Sequence, residues 1–217
     1  MNLDSSTDSR VRLRVRFRTA TRAAILDAAA GILGSDGAAQ ARMEDIAASA
    51  GVAVGTVYNY FEDRGALVHA LLESRTAALM AALDAAAPCA PRVRKVTPVA
   101  EPFDAELGRF VAVLAAHVDS NRFLLHVLFE EEGRQGIDAK SATRRRSVMG
   151  DLLTRAERLM EKGIRSRALR KDDPAMYAAL LVGMVRGMAL AALTRKREFS
   201  AGGSASIVRV FMTGAAR

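Results

Sequence analysis

The stretch from Arg42 to Leu67, RMEDIAASAGVAVGTVYNYFEDRGAL, decides the fold of this chain. Small and apolar residues repeat at helical steps in its first part, at Met43, Ile46, Ala47 and Ala50. Gly51 ends this run, because a helix that closes in the left-handed conformation favours a residue without a Cβ. A second run follows at Val54, Val57, Tyr58 and Phe61. The pattern predicts two short helices crossing at a tight turn, a helix-turn-helix, over the alternative of a generic helical hairpin.

The composition of the whole chain favours helices. Half of the 217 residues are hydrophobic, aromatic residues make up 5%, and tryptophan is absent. Such a chain can bury one good core with a small satellite domain, and its alanine, leucine, arginine and methionine favour helix over sheet. We therefore predict an all-α fold. In this fold, a long fourth helix joins an N-terminal three-helix domain, which contains the helix-turn-helix, to a C-terminal helical bundle.

Membrane, secretory and enzymatic classes find no support in the sequence. No apolar run approaches the roughly 20 uncharged residues that cross a bilayer, and MNLDSSTDSR lacks the apolar core of a signal peptide, so we expect a cytoplasmic protein. The single cysteine, Cys89, cannot form an internal disulfide. Neither a G-x-S-x-G motif, a phosphate loop nor a Cys/His metal cluster occurs. We expect no enzyme, no catalytic residue, no cofactor and no metal.

The net charge of +8 is unevenly distributed along the chain. Residues 1–75 contain nine arginines and nine acidic residues, whereas residues 76–217 contain 23 basic and 15 acidic residues. The bulk charge is therefore only a weak indicator of a nucleic-acid partner. In the N-terminal part, the positive charge is concentrated in six arginines: Arg10, Arg12, Arg14, Arg16, Arg18 and Arg22.

These arginines form an arm, RVRLRVRFR at residues 10–18, in which basic and apolar residues alternate. Alternation of basic and apolar residues with a period of two is typical of a β-strand, but a lone terminal strand has no sheet to join in a helical protein. We predict a flexible, extended or disordered arm over residues 1–18 that an anionic partner orders. DNA is favoured over an acidic membrane surface, and a solvated tail without a role is the third possibility.

Helical periodicity continues on both sides of the helix-turn-helix. The stretch TRAAILDAAAGILGSDG, residues 21–37, predicts a first helix ending near Gly37. A fourth helix begins near Asp63, whose carboxylate can cap its first turn, and it stops before Pro88. The four prolines of residues 88–102 predict an irregular connection. We assign residues 19–67 to the helix-turn-helix domain and residues 68–217 to a ligand-binding and dimerisation domain.

The C-terminal domain is helical in pattern throughout, with helices predicted at residues 103–118, 122–132 and 141–166. Asp173 and Pro174 are an N-cap followed by proline in the first turn, which opens a further helix to Leu193. That helix is almost uncharged apart from Arg186, and the apolar segment 204–212 follows it. We expect a homodimer through the helices of about residues 174–195 and 204–212, because a small monomer would struggle to cover both.

The strings ILDAA and IAASAGVAVGTVYNYF, followed by Arg64 and Leu67, resemble the N-terminal DNA-binding domain of TetR-family transcriptional regulators (TetR/AcrR type) over about residues 20–70. The resemblance implies a sequence-specific, homodimeric repressor that a small-molecule inducer releases from a palindromic DNA operator. The alternative is a basic helical protein that associates with DNA without sequence choice, or with a membrane.

The resemblance also implies roles for residues of the second helix of the motif, the recognition helix. Gly55 and Thr56 suit a close phosphate approach at its N-terminal end. Tyr58 and Tyr60 can donate hydroxyls to phosphates, and Asn59 can pair with an adenine edge and is the expected base reader. Val57 and Phe61 are expected to face the core. The remaining predicted DNA contacts are charged residues around the helix: Arg42, Arg64, Arg22, Arg16 and Arg18.

Two departures from the family pattern concern helix starts. Ala41 and Ala53 stand where the family usually has Thr and Ser, and each lost hydroxyl cap costs about 1 kcal/mol of local stability. Arg42 can compensate with a charge-assisted phosphate contact. Since the recognition helix contains no Lys or Arg, more of the affinity must come from arginines outside it.

A ligand pocket is expected among the helices of residues 103–195. Ordinary core packing is the competing interpretation for each candidate residue. The candidates are Phe110, Leu114, His117, Phe123, His126, Val127, Met149, Met184 and Met188.

Overall fold

The computed structural model describes residues 4–34, 42–87, 102–122 and 139–215, with side chains from residue 10 in the first range and from residue 148 in the last. These residues form eight helices and no strand, which confirms the all-α prediction. The helices are α1 Asp4–Gly34, α2 Met43–Ala50, α3 Val54–Tyr60, α4 Arg64–Ala86, α5 Phe103–Ser120, α6 Ala139–Arg165, α7 Pro174–Thr194 and α8 Gly203–Ala215. The predicted turn at Gly37, the connection before Pro102 and the helix of residues 122–132 lie outside the described residues, apart from Pro102 and Arg122 themselves.

The chain divides into two compact units, with the boundary between Ser74 and Arg75, inside α4. The first unit contains α1, α2, α3 and the first turns of α4. Its helices enclose a small apolar core in which α1 packs on α2 and α2 packs on α3. The buried side chains of this core are Ile25, Leu26, Ala29, Leu33, Met43, Ile46, Ala47, Val57, Phe61, Leu67, Ala70 and Leu71.

The N-terminal arm differs from the prediction, because residues 4–18 are helical and continuous with the packed part of α1. No glycine or proline interrupts the chain before Gly31, and arginine is a good helix former. Once the packed turns around Ile25 have formed, each added residue gains a backbone hydrogen bond without a new nucleation step. The Thr19 hydroxyl also donates to the Val15 carbonyl at 3.0 Å. The alternating pattern was therefore a misleading indicator of extended structure.

The second unit is built from the rest of α4 and from α5 to α8. Helix α6 packs along α7, and α5 packs against α8. Tyr177 and Phe211 meet edge to face with ring centroids 5.9 Å apart. The core continues through six further buried side chains: Phe103, Leu107, Phe110, Met160, Leu181 and Ile207.

Helix starts in both units use the predicted caps. The Asp63 carboxylate accepts a hydrogen bond from the Ala66 N–H at 2.7 Å in the first turn of α4. The Asp173 side chain accepts from the Ala175 N–H at 2.9 Å, and Pro174 occupies the first turn of α7. Both predictions are confirmed, since these carboxylates take N–H groups that have no partner within the helix.

Charged side chains tie the helices of the second unit together. Glu106 on α5 is 3% exposed and accepts hydrogen bonds from the Lys162 ammonium of α6 at 2.6 and 2.8 Å. Arg155 makes a two-pronged contact with Asp84 at 2.8 and 2.9 Å, and this hydrogen-bonded pair lowers the pKa of Asp84. Two ion pairs thus fix α6 against α4 and α5.

Two helices are long and apolar enough to span a bilayer by length and composition alone, Arg64–Ala86 and Pro174–Thr194. Neither is an uncharged run of about 20 residues, since Arg186 lies within the second and Glu73 and Arg75 lie within the first. About a third of the most apolar window of each is buried in the protein, 28% and 33%. Tyr177, Leu181 and Val185 belong to the core of the second unit, which is a common reason for such apolar helices.

Candidate nucleic-acid interface

The turn between α2 and α3 has the geometry that the sequence predicts. Gly51 lies in the left-handed region, with φ 67° and ψ 32°. The Val52 N–H donates to the Ala47 carbonyl at 3.0 Å, and the Gly51 N–H donates to the Ala48 carbonyl at 3.2 Å. This hydrogen-bond pair is the Schellman motif, which closes a helix and redirects the chain. The predicted role of Gly51 is confirmed.

Helix α3 has one buried and one exposed face. Val57 is fully buried and Phe61, directly after the helix, is 4% exposed, as predicted. On the other side Tyr58 is 48% exposed, and Asn59 is exposed beside it. This seven-residue helix thus turns Val57 to the core and leaves Tyr58 and Asn59 in solvent, while Thr56 and Tyr60 are half-buried.

The N-terminal end of α3 is open. Gly55 is exposed, and a Cβ built on it would meet no atom within 4 Å. Ala53 precedes the helix and provides no side-chain cap, as the sequence indicates. Without a capping hydroxyl, the N–H groups at the start of α3, at Val54 and Gly55, stay available to an external acceptor such as a phosphate oxygen. The Thr56 N–H donates to the Ala53 carbonyl at 2.8 Å. Thr56, in the first turn, is half-buried.

Two arginines flank the motif. Arg42 precedes α2, and its backbone N–H donates to the Asp45 carboxylate at 3.3 Å, so the acid replaces part of the missing cap. Its side chain is exposed. Arg64 begins α4 and is exposed as well. Ala41, the second predicted cap departure, lies outside the described residues.

Helix α1 reaches the end of α3 through two arginines that the sequence could not place there. The Arg18 guanidinium lies 5.9 Å from the centre of the Tyr60 ring, and the Arg22 guanidinium lies 5.5 Å from that of Phe61. Cation–π contacts of this kind contribute roughly 0.5–1 kcal/mol at exposed sites and orient the guanidinium. Arg16 is about half a turn away from Arg18 and therefore lies on the opposite side of α1. The spacing of four residues between Arg18 and Arg22 becomes meaningful only when residues 10–22 are helical.

Residues 25–71 match the family model of the bacterial regulatory proteins of the tetR family. The matched segment runs from Ile25 on α1 to Leu71 on α4 and contains the whole helix-turn-helix. The chain carries the TetR-family N-terminal domain. This confirms the resemblance drawn from the sequence motifs.

Several solved structures are similar to most of the chain. A TetR transcription regulator from Haloarcula marismortui ATCC 43049 has a TM-score of 0.73 at 14% identity, covering 92% of this chain and 100% of that one. SmeT in its triclosan complex has a TM-score of 0.63 at 22% identity, covering 91% and 92%. It is the repressor of the Stenotrophomonas maltophilia multidrug efflux pump SmeDEF.

FadR from Bacillus subtilis in complex with stearoyl-CoA has a TM-score of 0.66 at 18% identity, covering 88% of this chain and 97% of that one. No curated protein sequence matches the chain. At these identities the similar structures establish the fold alone. Most of the chain thus has the fold of TetR-family regulators.

The predicted ligand residues that the structure describes fall into three environments. Phe110 and Leu114 on α5 are buried in the core, and Met184 on α7 is half-buried against it. Met149 and Met188 are exposed, at 37% and 39%. Phe123, His126 and Val127 lie outside the described residues.

Two cavities of the second unit differ in size and lining. An open groove of about 780 Å³ lies between α5 and α8, lined by Phe103, Gly108, Val208 and Met212 among others. None of the described candidate residues lines it. A cavity of about 40 Å³, bordered by Phe110 and by the Arg155 and Lys162 ion pairs, is closer to the size of one water molecule.

His117 is the described candidate with unusual protonation chemistry. Burial, together with the nearby positive charge of Arg75, lowers its pKa to about 4. Its carbonyl accepts a hydrogen bond from the Asn121 side chain at 2.9 Å, and Asn121 is itself 6% exposed. His117 is therefore neutral at pH 7, and it lies among polar groups at the C-terminal end of α5.

The same end of α5 holds the connection between α7 and α8. The Asp119 carboxylate accepts hydrogen bonds from the Phe199 and Ser200 N–H groups, both at 2.8 Å. Burial alone would raise the pKa of Asp119, but these hydrogen bonds outweigh it and lower the pKa. Phe199 is 1% exposed. Asp119 therefore ties the C-terminal end of α5 to the connection between α7 and α8.

Proposed function

We propose that the chain is a sequence-specific DNA-binding transcriptional regulator, acting as a homodimeric repressor that a small molecule releases from a palindromic operator. The observation that carries this proposal is the α2–Gly51–α3 unit, with Val57 buried and Asn59 exposed on the same short helix. A rigid small core behind an exposed polar face is what entry into a major groove requires. This function would place the protein in the cytoplasm.

In this proposal the residues of the recognition helix have different tasks. Asn59 reads an adenine edge with its amide donor and acceptor. Tyr58, Tyr60 and the N-terminal end of α3 at Gly55 and Thr56 contact phosphates and fix the register. Because α3 has no charged side chain, most of the electrostatic affinity comes from the surrounding arginines: Arg42, Arg64, Arg18 and Arg22. Arg16, on the side of α1 opposite Arg18, is not part of this set.

Selection from a pool of random duplexes tests this function. We expect enrichment of one sequence with two-fold related half-sites, about 34–36 Å apart or at a wider spacing set by the dimer. The enriched duplex should bind at least a thousandfold more tightly than random DNA at physiological salt, the lower end of the usual specificity range. A pool that stays random, with equal affinity for all duplexes, contradicts the proposal and favours the non-specific basic protein.

The dimer proposal rests on an exposed stripe of α7. Met176 and Leu180 are 44% and 54% exposed, and Leu190 is 47% exposed. Gly183 and Gly187 lie between them, both exposed, and a Cβ built on either would meet no atom within 4 Å. The five residues follow steps of four and three, the spacing of a helix–helix seam, and the glycines let a second backbone approach closely.

Helix α8 contributes less to this surface than the sequence suggests. Ile207 and Phe211 are buried within the unit, and Val208 and Met212 are half-buried. Val210, at 58% exposure, is the large apolar side chain that α8 leaves open. The monomer therefore covers most of the segment 204–212, and the proposed dimer contact is mainly on α7.

A matched pair of substitutions tests the dimer. Leu180→Glu introduces a charge into the proposed seam, whereas Leu13→Glu introduces the same charge at a leucine of similar exposure on α1, 52%. Sedimentation should show a dimer for the Leu13 variant and a monomer for the Leu180 variant, both with unchanged helicity. A Leu180→Glu protein that sediments as the parent does contradicts the proposal.

The inducer proposal follows from the two-state behaviour that such a dimer permits. A ligand needs only about 2.7 kcal/mol of differential affinity between two states to lower DNA occupancy a hundredfold. SmeT and FadR, two proteins of this fold, are found in complexes with triclosan and stearoyl-CoA. We propose a largely apolar small molecule bound within the second unit.

Mass spectrometry of the native protein tests this inducer. A small molecule that copurifies with the free protein should be absent from the fraction eluted with operator DNA. The same molecule found equally in both fractions contradicts release by a ligand.

A further inference from the structure

The helical conformation of residues 10–22 sorts their arginines onto different sides of α1. A helix advances 100° and 1.5 Å per residue. Arg10, Arg14, Arg18 and Arg22 therefore form one ridge of four-residue steps, with about 6 Å between successive members. Arg12 and Arg16 lie on the opposite side.

The ridge is continuous with the candidate nucleic-acid interface. Its last two members contact Tyr60 and Phe61, at the end of the recognition helix. Arg14 and Arg10 follow one and two turns further along α1, and both are exposed. From Arg10 to Arg18 the ridge spans about 12 Å, and a DNA strand has one phosphate for every 3.4 Å of duplex axis. The ridge is long enough to follow several phosphates of one strand.

The apolar residues of the same segment decide between DNA and a membrane. In a strand, Val11, Leu13, Val15 and Phe17 would share one face. In α1, Val11 and Val15 lie on one side of the helix, whereas Leu13 and Phe17 lie on another. All four are more than half exposed, and no continuous apolar face exists for insertion into a lipid surface.

We propose that Arg10, Arg14 and Arg18 form a helical phosphate-binding ridge, which extends the DNA contact of each chain along the backbone beyond the base-reading helix. The proposal deepens the proposed function and rests on its helix-turn-helix–DNA contact. The ridge is sequence-independent, so it adds affinity and salt dependence and leaves base choice to α3. The Arg18–Tyr60 contact joins the two surfaces.

Two double substitutions test the ridge with equal loss of charge. Arg10→Gln/Arg14→Gln removes two members of the ridge, and Arg12→Gln/Arg16→Gln removes two arginines from the opposite side. Glutamine keeps the helix propensity close to that of arginine. Binding to a random-sequence duplex, measured across a salt series, reports the number of phosphate contacts through the slope of log K against log salt.

The ridge predicts unequal results for the two pairs. Loss of Arg10 and Arg14 should reduce the slope by about 1.8 per bound chain, at about 0.9 per phosphate contact. Loss of Arg12 and Arg16 should leave the slope nearly unchanged. Equal reductions for both pairs would show a bulk charge effect and overturn the ridge, as would two unchanged slopes.

Val15→Pro separates a helical ridge from a flexible arm, since it keeps every arginine and breaks the helix between them. It should lower the salt slope as much as Arg10→Gln/Arg14→Gln does. A full slope for this variant overturns the helical ridge. The parent protein should also bind the duplex more tightly than phosphatidylserine vesicles at the same salt concentration. The opposite order of affinities overturns the phosphate-binding ridge on DNA and favours a membrane surface as the partner.

The failures of the ridge and of the proposed function have different signatures. Absence of sequence preference in the parent protein defeats the specific regulator, while the slopes on a random duplex still test the ridge. Retained preference with equal slopes for the two double variants defeats the ridge and leaves the regulator intact.

Discussion

The two units of the molecule use their residues in different ways. The first builds a turn from two helices of eight and seven residues, and single positions such as Gly51 and Val57 determine it. The second packs helices of 18, 27 and 21 residues, in which many apolar positions share the core. The sequence of the first unit therefore indicates a function, because each position of the helix-turn-helix has a single structural or binding role. In the second unit, periodicity identifies the core and leaves the ligand unspecified.

Val57→Asp should break the first unit and spare the second. An unpaired carboxylate at a fully buried site costs about 3 kcal/mol or more, enough to unfold a small core. We expect loss of DNA binding with the dimer retained, measured by gel shift and sedimentation on the same sample. The control, Ala112→Asp at an exposed position of α5, should keep DNA binding. Simultaneous loss of DNA binding and of most helicity in Val57→Asp would show that the two units do not fold independently.

The second unit should have a pH dependence that His117 causes. The unfolded chain binds the histidine proton near pH 6.5, whereas the folded chain binds it only near pH 4. Because the folded pKa is depressed, the full contribution to stability is present above pH 6.5 and is lost as the pH falls to 4. The free energy of unfolding should decrease by about 2 kcal/mol over this window because of this group.

Denaturant titrations at pH 7 and pH 4.5 measure this effect, with His117→Gln as the comparison. The variant should lose less stability between the two pH values than the parent, since its side chain does not titrate. Parallel losses in the two proteins would mean that His117 titrates normally in the folded state.

Two glycines of the first unit should respond oppositely to alanine. Gly51→Ala forces a Cβ into the left-handed region, which costs about 1–2 kcal/mol. Gly55→Ala lies in a helix with open space, so the protein should become more stable by up to about 1 kcal/mol. If Gly55 gives a phosphate close access to α3, DNA affinity should fall in the stabler variant. Thermal unfolding and gel shifts measure the two effects, and a stabler Gly55→Ala protein with unchanged affinity removes Gly55 from the interface.

Local sequence signals predicted much of the first unit correctly. Gly51, Asp63 and the buried Val57 follow from a turn conformation, a cap and a helical period, which involve residues within one or two turns. The conformation of residues 10–18 was predicted wrongly. Its alternation suggested an extended arm, but the outcome depends on whether the packed helix around Ile25 continues, which a local pattern does not contain.

Contacts between distant residues could not be predicted from the sequence. Asp119 accepts hydrogen bonds from Phe199 and Ser200, about 80 residues away, and nothing in the spacing of these residues indicates it. The contact of Arg18 with Tyr60 likewise requires the packing of α1 on the motif. The sequence also does not distinguish the buried face of α7 from its exposed face. Almost all residues of this helix are uncharged, so residue type does not indicate which side the rest of the protein covers.

The central claim is that α3 reads bases through Asn59 while arginines outside α3 supply most of the affinity. Affinities of the parent protein and Asn59→Ala for the selected duplex and for a random duplex, at one salt concentration, test it most directly. We predict that Asn59→Ala lowers the preference for the selected duplex by about 5- to 150-fold, corresponding to about 1–3 kcal/mol per base contact, and leaves the affinity for random DNA nearly unchanged. An equal loss of affinity for both duplexes, or no loss for either, would contradict the account.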